Sequence, residues 1–134
     1  MDNLTVEHRS WLMSRVRSKD TKPELIVRRM VYTLGFRYRI HCRDLPGKPD
    51  LVFRSKHKAI FVHGCFWHMH ENCAKARVPR SNSEFWLEKM QKNVQRDKIA
   101  KQELQRLGWT FIEVWQCEIG DRENLLKRLS TFLH

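Results

Sequence analysis

Gly35 marks the point at which the hydrophobic pattern of this chain changes period. On its N-terminal side Leu25, Ile26, Arg29, Met30 and Thr33 recur at helical spacing. The run TKPE (Thr21–Glu24) has the spacing of a capping box and sets Pro23 in the first turn, where its missing N–H does no harm. A helix is therefore predicted from about Lys22 to Leu34, with Gly35 as its C-terminal stop. On the other side the period falls to two. FRYRI (Phe36–Ile40) alternates apolar and basic as a half-buried strand does, and LVF (Leu51–Phe53) and AIFV (Ala59–Val62) are short apolar strands. LPGKP (Leu45–Pro49) and SKHK (Ser55–Lys58) carry turn chemistry, so the three strands read as a meander joined by short turns.

Further along, SNSE (Ser81–Glu84) is a second capping box. It opens a long charged helical region whose apolar members are Phe85, Trp86, Met90, Val94, Ile99 and Leu104, ending at Leu107-Gly108. TFIEVW (Thr110–Trp115) is a fourth strand, and Leu125, Leu126, Leu129 and Phe132 mark a final helix. Residues 1–18 read as a basic helix with Leu12, Met13 and Val16 near one side and Arg9, Arg15 and Arg17 around it. The order ααβββαβα makes an α/β fold with a central sheet flanked by helices.

A chain of 134 residues suits one domain, here a basic helical arm over residues 1–20 followed by a core over residues 21–134. Lys and Arg total 26 against 15 Asp and Glu, and a formal charge of +11 on so small a domain is the footprint of a polyanionic partner, nucleic acid first. A ribosomal or membrane-surface role, or solubility alone, is the alternative. No stretch approaches the ~20 apolar residues of a transmembrane helix, and the opening MDNLTVEHRSWLMS lacks the apolar run of a signal peptide. The expected location is cytoplasmic, where cysteines seldom pair stably. Cys42, Cys65, Cys73 and Cys117 are then expected to be metal ligands or buried thiols.

Two constellations carry chemistry. In HGCFWHMHENC (His63–Cys73), Cys65, His70 and Cys73 have C-x4-H-x2-C spacing, close enough to wrap one zinc ion. Cys117, just past the last strand, is the best candidate for the fourth ligand, and such a closed Cys3His shell would be structural. Spacing alone lets His68 replace His70, and buried thiols are the competing reading; Cys42 reads as one. The second constellation is Asp50, delivered by Pro49 to the mouth of one strand, with His63 at the end of the next. Adjacent strands would bring this carboxylate and imidazole together. A hard oxygen suits Mg2+, and phosphodiester hydrolysis needs such an ion for developing charge and a base such as His for water. Glu24 is accounted for by its capping box, and Asp97 by pairing with Arg96 or Lys101, so neither is singled out by pattern.

Four further runs carry a resemblance. PGKPDLVF, IFVHGCFWHMHENC, FWLEKMQKNVQRD and LGWTFIEVWQCE resemble, in order and spacing, the very short patch repair (Vsr) mismatch endonucleases, and MSRVRSKDTKPE resembles their N-terminal segment. The match spans nearly the whole chain. It implies a restriction-endonuclease-like fold and an enzyme that binds T:G mismatches left by deamination of 5-methylcytosine, nicking 5′ of the thymine in DNA repair. It further implies that Asp50 and the backbone carbonyl of Val62 hold Mg2+, that His68 activates the attacking water, and that His63 contacts the reacting phosphate. Glu24 and Asp97 would complete the hydrogen-bonding shell. The family's structural zinc falls on Cys65, His70, Cys73 and Cys117. Phe66, Trp67 and Trp86 match side chains that wedge into the base stack from the major groove, and Met13 and Val16 match apolar residues presented from the minor groove. Unstacking costs a few kcal/mol and least at a mispaired step, so wedges themselves select mismatches. For Trp86, on an amphipathic helix, a place in the core is the alternative.

Two departures stand out: Val62 occupies a position where the family commonly has threonine, and the loop is one residue longer between zinc ligands. The expected partner is double-stranded DNA with a T:G mismatch, with general mismatch-repair proteins added by family analogy. A monomer is expected because a lone mismatch lacks two-fold symmetry. The alternatives are a nuclease of the same fold cutting matched DNA and a non-catalytic zinc-containing DNA-binding module. The presence of Asp50, His63 and His68 speaks against the latter.

Overall fold

The computed structural model describes residues 21–64 and 83–134. The basic arm over residues 1–20 with Met13 and Val16, the loop residues Cys65, Phe66, Trp67, His68, His70 and Cys73, and the capping Ser81 lie outside the described residues.

Helix α1 spans Lys22–Thr33, within one residue of its predicted bounds. The Thr21 hydroxyl accepts from the Glu24 N–H at 3.5 Å, and Pro23 sits in the first turn. At the other end the Gly35 N–H donates to the Tyr32 carbonyl at 3.0 Å and the Phe36 N–H to Val31 at 3.2 Å. Those are the two bonds of a Schellman stop, and they need Gly35 at φ +96°.

Three strands follow: β1 (Leu51–Phe53), β2 (Lys58–His63) and β3 (Thr110–Trp115), in the order β1-β2-β3. β1 runs antiparallel to β2 through a tight turn at Arg54–Lys56, and β3 lies parallel to β2, from Lys58↔Thr110 to His63↔Trp115. A parallel neighbour requires a crossover, and this one carries helix α2, Ser83–Arg106. The architecture is mixed α/β, closed by helix α3 (Arg122–Leu133). Among the described residues no helix is long and apolar enough to cross a membrane.

The strand expected over Phe36–Ile40 is reduced to one antiparallel bridge, Arg39 with Val52, whose two hydrogen bonds are both 2.9 Å. Its period is as read: Phe36 and Tyr38 pack on the core while Arg37 and Arg39 are exposed. Pairing stops because β1 offers only three residues and the backbone turns at His41, with φ +57°.

The sheet separates two layers. Leu51, Phe53, Ile60, Val62 and Val114 face Val27, Met30 and Val31 of α1 and Leu125, Leu129 and Leu133 of α3, all buried. On the opposite side Val52, Ala59 and Phe61 pack with Leu45 and with Leu104 of α2, and the half-buried Cys42 joins them. Helix α2 is a single 24-residue helix. Its inward stripe differs from the expected one: Val94, Ile99 and Phe85 are exposed, whereas Trp86, Met90, Asn93, Asp97, Ala100 and Leu104 follow one another at three- and four-residue steps on the buried side.

Candidate active site

The turn before β1 places the first carboxylate. Pro46 and Gly47 sit at its centre, with the Lys48 N–H donating to the Leu45 carbonyl at 3.2 Å and Gly47 at φ +77°. A Cβ on Gly47 would lie 3.0 Å from Cβ of Ala100 and 3.1 Å from Cε1 of Phe61, so only glycine lets the turn dock between α2 and β2. Asp50 is then fastened to β2 twice. Its N–H donates to the Ile60 carbonyl at 3.0 Å, and its Oδ2 accepts from the Val62 N–H at 2.6 Å.

Glu24, buried in the first turn of α1, reaches the same place. Its Oε2 lies 3.3 Å from Nη2 of Arg28 one turn along, and its carboxyl shares a side-chain hydrogen bond with Asp50. The Asp50 carboxyl is pushed up to about 7. Burial is the main cause; the Val62 amide pulls the other way, the charge and hydrogen bond of Glu24 add to the rise, and Arg28 offsets part of it.

His63 ends β2 with 6% of its surface exposed. Its ring stacks on Phe61 at 5.7 Å between centroids and meets Trp115 at 5.0 Å and a 54° tilt. Nε2 of His63 stands 2.9 Å from Oε2 of Glu113, whose Oε1 is 2.9 Å from Nζ of Lys101 on α2. Burial pushes the Glu113 carboxyl up, but its bonds to His63 and Lys101 together outweigh this and hold it at about 2.

The remaining expected residues divide. Asp97, with Asn93, is half-buried on the inward stripe of α2 rather than on its solvated side. Trp86 is 5% exposed and meets Phe85 edge-to-face at 5.1 Å. Cys117 is exposed in the turn Gln116–Gly120 just past β3. Glu118 fixes that turn, accepting from the Trp115 N–H at 3.0 Å and pairing with Arg128 of α3 at 2.7 Å. The structure thus joins Asp50, Glu24 and Val62 at one place and sets His63 at the end of the neighbouring strand. Arg28 and Glu113 are neighbours of the candidate site that pattern reading missed, and Lys101, named from sequence as a partner for Asp97, is paired with Glu113. The signals were there: Arg28 stands four residues after Glu24, and Glu113 interrupts the aromatic face Phe111-Glu113-Trp115 of its strand.

A divalent cation fits the Asp50 cluster. Two carboxyl groups in contact bring hard oxygen donors together, which suits Mg2+, and a cation there would take the place of the proton they share. For zinc, one member of the expected Cys3His set, Cys117, is among the described residues. Its thiol is exposed at a strand end, and a cysteine sulfur is a suitable zinc ligand.

Comparison with known proteins points to one family. The family model described as DNA mismatch endonuclease Vsr matches residues 1–75. A type II nicking enzyme of Xanthomonas oryzae pv. oryzae, V.XorIIP, is 44% identical over 132 residues, covering 98% of this chain and 96% of that protein. The V.NmeAIP nicking enzyme of Neisseria meningitidis is 42% identical, covering 96% and 91%. The DNA mismatch endonuclease Vsr of Escherichia coli K12 is 41% identical over 117 residues, covering 87% and 74%.

Proposed function

The chain belongs to the Vsr family of DNA mismatch endonucleases, and from that premise we propose that it nicks one strand of duplex DNA 5′ of the thymine in a T:G mismatch, in a Mg2+-dependent reaction that opens very short patch repair. The observation that carries the site assignment is the meeting of Asp50 and Glu24 beside the end of β2, in a protein of net charge +11.

In this reading Asp50 and the Val62 carbonyl hold Mg2+, which when bound offsets the charge developing on the phosphoryl oxygens. Only the carbonyl of residue 62 is used, so valine serves as well as threonine. The Val62 amide, by binding Oδ2 of Asp50, keeps the carboxylate and that carbonyl at a fixed separation. Glu24, itself held by Arg28, orients Asp50. His63 contacts the scissile phosphate, His68 takes the proton from the attacking water, and Asp97 completes the hydrogen-bonding shell from α2. Zinc on Cys65, His70, Cys73 and Cys117 would pin the loop that carries His68 to the end of β3.

Phe66, Trp67 and Trp86 from one groove, and Met13 and Val16 of the arm over residues 1–20 from the other, would wedge into the stack at the mispaired step, where unstacking costs least. Trp86 is buried, so its share of the wedge requires that it leave its packing. The fold would be the restriction-endonuclease-like αβββαβ arrangement, acting as a monomer on an asymmetric lesion.

The test uses labelled duplexes with T:G, T:A or C:G at one position, incubated with protein and Mg2+ or with EDTA, alongside Asp50→Ala. Nicking of the T:G duplex alone, lost with EDTA and in the variant, is expected. Equal cutting of matched duplexes would overturn the mismatch assignment, and cutting in EDTA would overturn the role of Mg2+.

A further inference from the structure

Strand β3 sends Ile112 and Val114 into the apolar layer and Phe111, Glu113 and Trp115 to the α2 side. A carboxylate between two aromatics loses water and is costly unless its oxygens are matched. One accepts from Lys101 at 2.9 Å and the other lies 2.9 Å from Nε2 of His63 in a charge contact. A carboxylate serving only to neutralise Lys101 would need one oxygen and could point outward. Glu113 instead spans two partners on two elements, linking α2 through β3 to the end of β2.

Packing alone does not orient His63. Contact with Phe61 and Trp115 sets the plane of its imidazole, yet an aromatic slot cannot tell one ring edge from the other. An ionised carboxylate can, because its charge favours an N–H-bearing edge, and it is the Nε2 edge that faces Oε2. Lys101 in turn holds the carboxylate in place, reaching it from the turn of α2 just before the buried Leu104.

We propose that Glu113, anchored by Lys101, is a positioning residue for phosphodiester cleavage: it fixes the ring edge and tautomer of His63 at the end of β2. This rests on the reading of His63 as a group that contacts the reacting phosphate. Glu113 acts through His63 and touches no substrate.

The test compares Glu113→Gln, which keeps the shape but not the charge, with Lys101→Met and wild type. Single-turnover nicking of the T:G duplex and duplex Kd are measured, and the 15N shifts of the His63 ring are recorded, assigned by their loss in His63→Asn. Glu113→Gln is expected to slow nicking by about 10- to 100-fold, as loss of an orienting partner does, with Kd within about twofold. Its His63 resonances should change from an Nε2–H signature to a mixture of tautomers. Lys101→Met should shift both readouts in the same direction by a smaller factor. A Glu113→Gln protein that nicks within about twofold of wild type, or whose His63 shifts are unchanged, would overturn the proposal. If wild type itself nicks no duplex, the functional reading fails on its own, and the ring shifts still decide whether Glu113 orients His63.

Discussion

The two faces of the sheet are built differently. Toward α1 and α3 the packing is mainly apolar: Val27, Val31, Leu51, Ile60, Val114 and Leu129 are completely buried in one cluster. Toward α2 the apolar cluster is smaller, and beyond Phe61 the face continues as His63, Glu113 and Lys101, with Asn93 and Asp97 on the helix opposite. Burying apolar surface is a direct source of stability, while a partly buried charge contributes only where it is paired. One face therefore holds the fold together, and the other concentrates the polar and charged groups to which the proposed chemistry is assigned. The Asp50–Glu24 pair at the edge of the apolar face resembles the second group: burial and the contact with Glu24 push the Asp50 carboxyl up, which opposes its ionisation in the folded protein.

This division can be broken from either side. The largest effect on stability is expected from Leu129→Ala, which should cost about 3 kcal/mol in urea unfolding, since a fully buried leucine leaves a cavity. The nicking rate per folded molecule should stay at the wild-type value; a fall of tenfold or more would show that the two faces are coupled. A smaller effect comes from Glu113. Its carboxyl lies below the usual glutamate value, at about 2, so its stabilising contribution is complete above pH ~4.5 and disappears as pH falls toward 2. Wild type should therefore lose on the order of 2 kcal/mol more than Glu113→Gln across that window, discounted for partial exposure. Parallel acid titrations of the two proteins would contradict this. The smallest effect is expected at Ile99, apolar but 52% exposed on the outer side of α2; Ile99→Ala should change unfolding by less than about 0.5 kcal/mol.

Much of the apolar face was legible because it depends on local rules. Thr21, Pro23 and Gly35 delimit α1 through capping and stop chemistry, and alternation in FRYRI identifies which side chains point inward. What alternation could not supply was the number of residues that pair, which depends on the length of the partner strand. The docking of Asp50 against β2 was legible for a similar reason: a turn and a short antiparallel connection leave little choice of neighbours. The α2 face was less so. Its inward stripe passes through Asn93 and Asp97, and a search for apolar residues substitutes Val94 and Ile99 one or two positions away. Glu113 and Lys101 are likewise joined by tertiary packing across a helix and a strand, which no spacing in either segment encodes.

Asp50→Asn tests most directly whether the carboxylate cluster is maintained for cation binding at the expense of stability. Asparagine can still accept from the Val62 amide and can donate to Glu24, so it keeps the contacts and removes the charge. Because burial and Glu24 raise the Asp50 carboxyl to about 7, ionising it in the folded state carries a penalty. That penalty is absent below pH ~4, grows as pH rises to about 7, and is complete above it. Urea unfolding in EDTA at pH 8, paired with single-turnover nicking in Mg2+, should find the variant more stable than wild type by roughly 1–3 kcal/mol and inactive on the T:G duplex. A variant that is less stable than wild type at that pH, or that still nicks, would contradict the assignment.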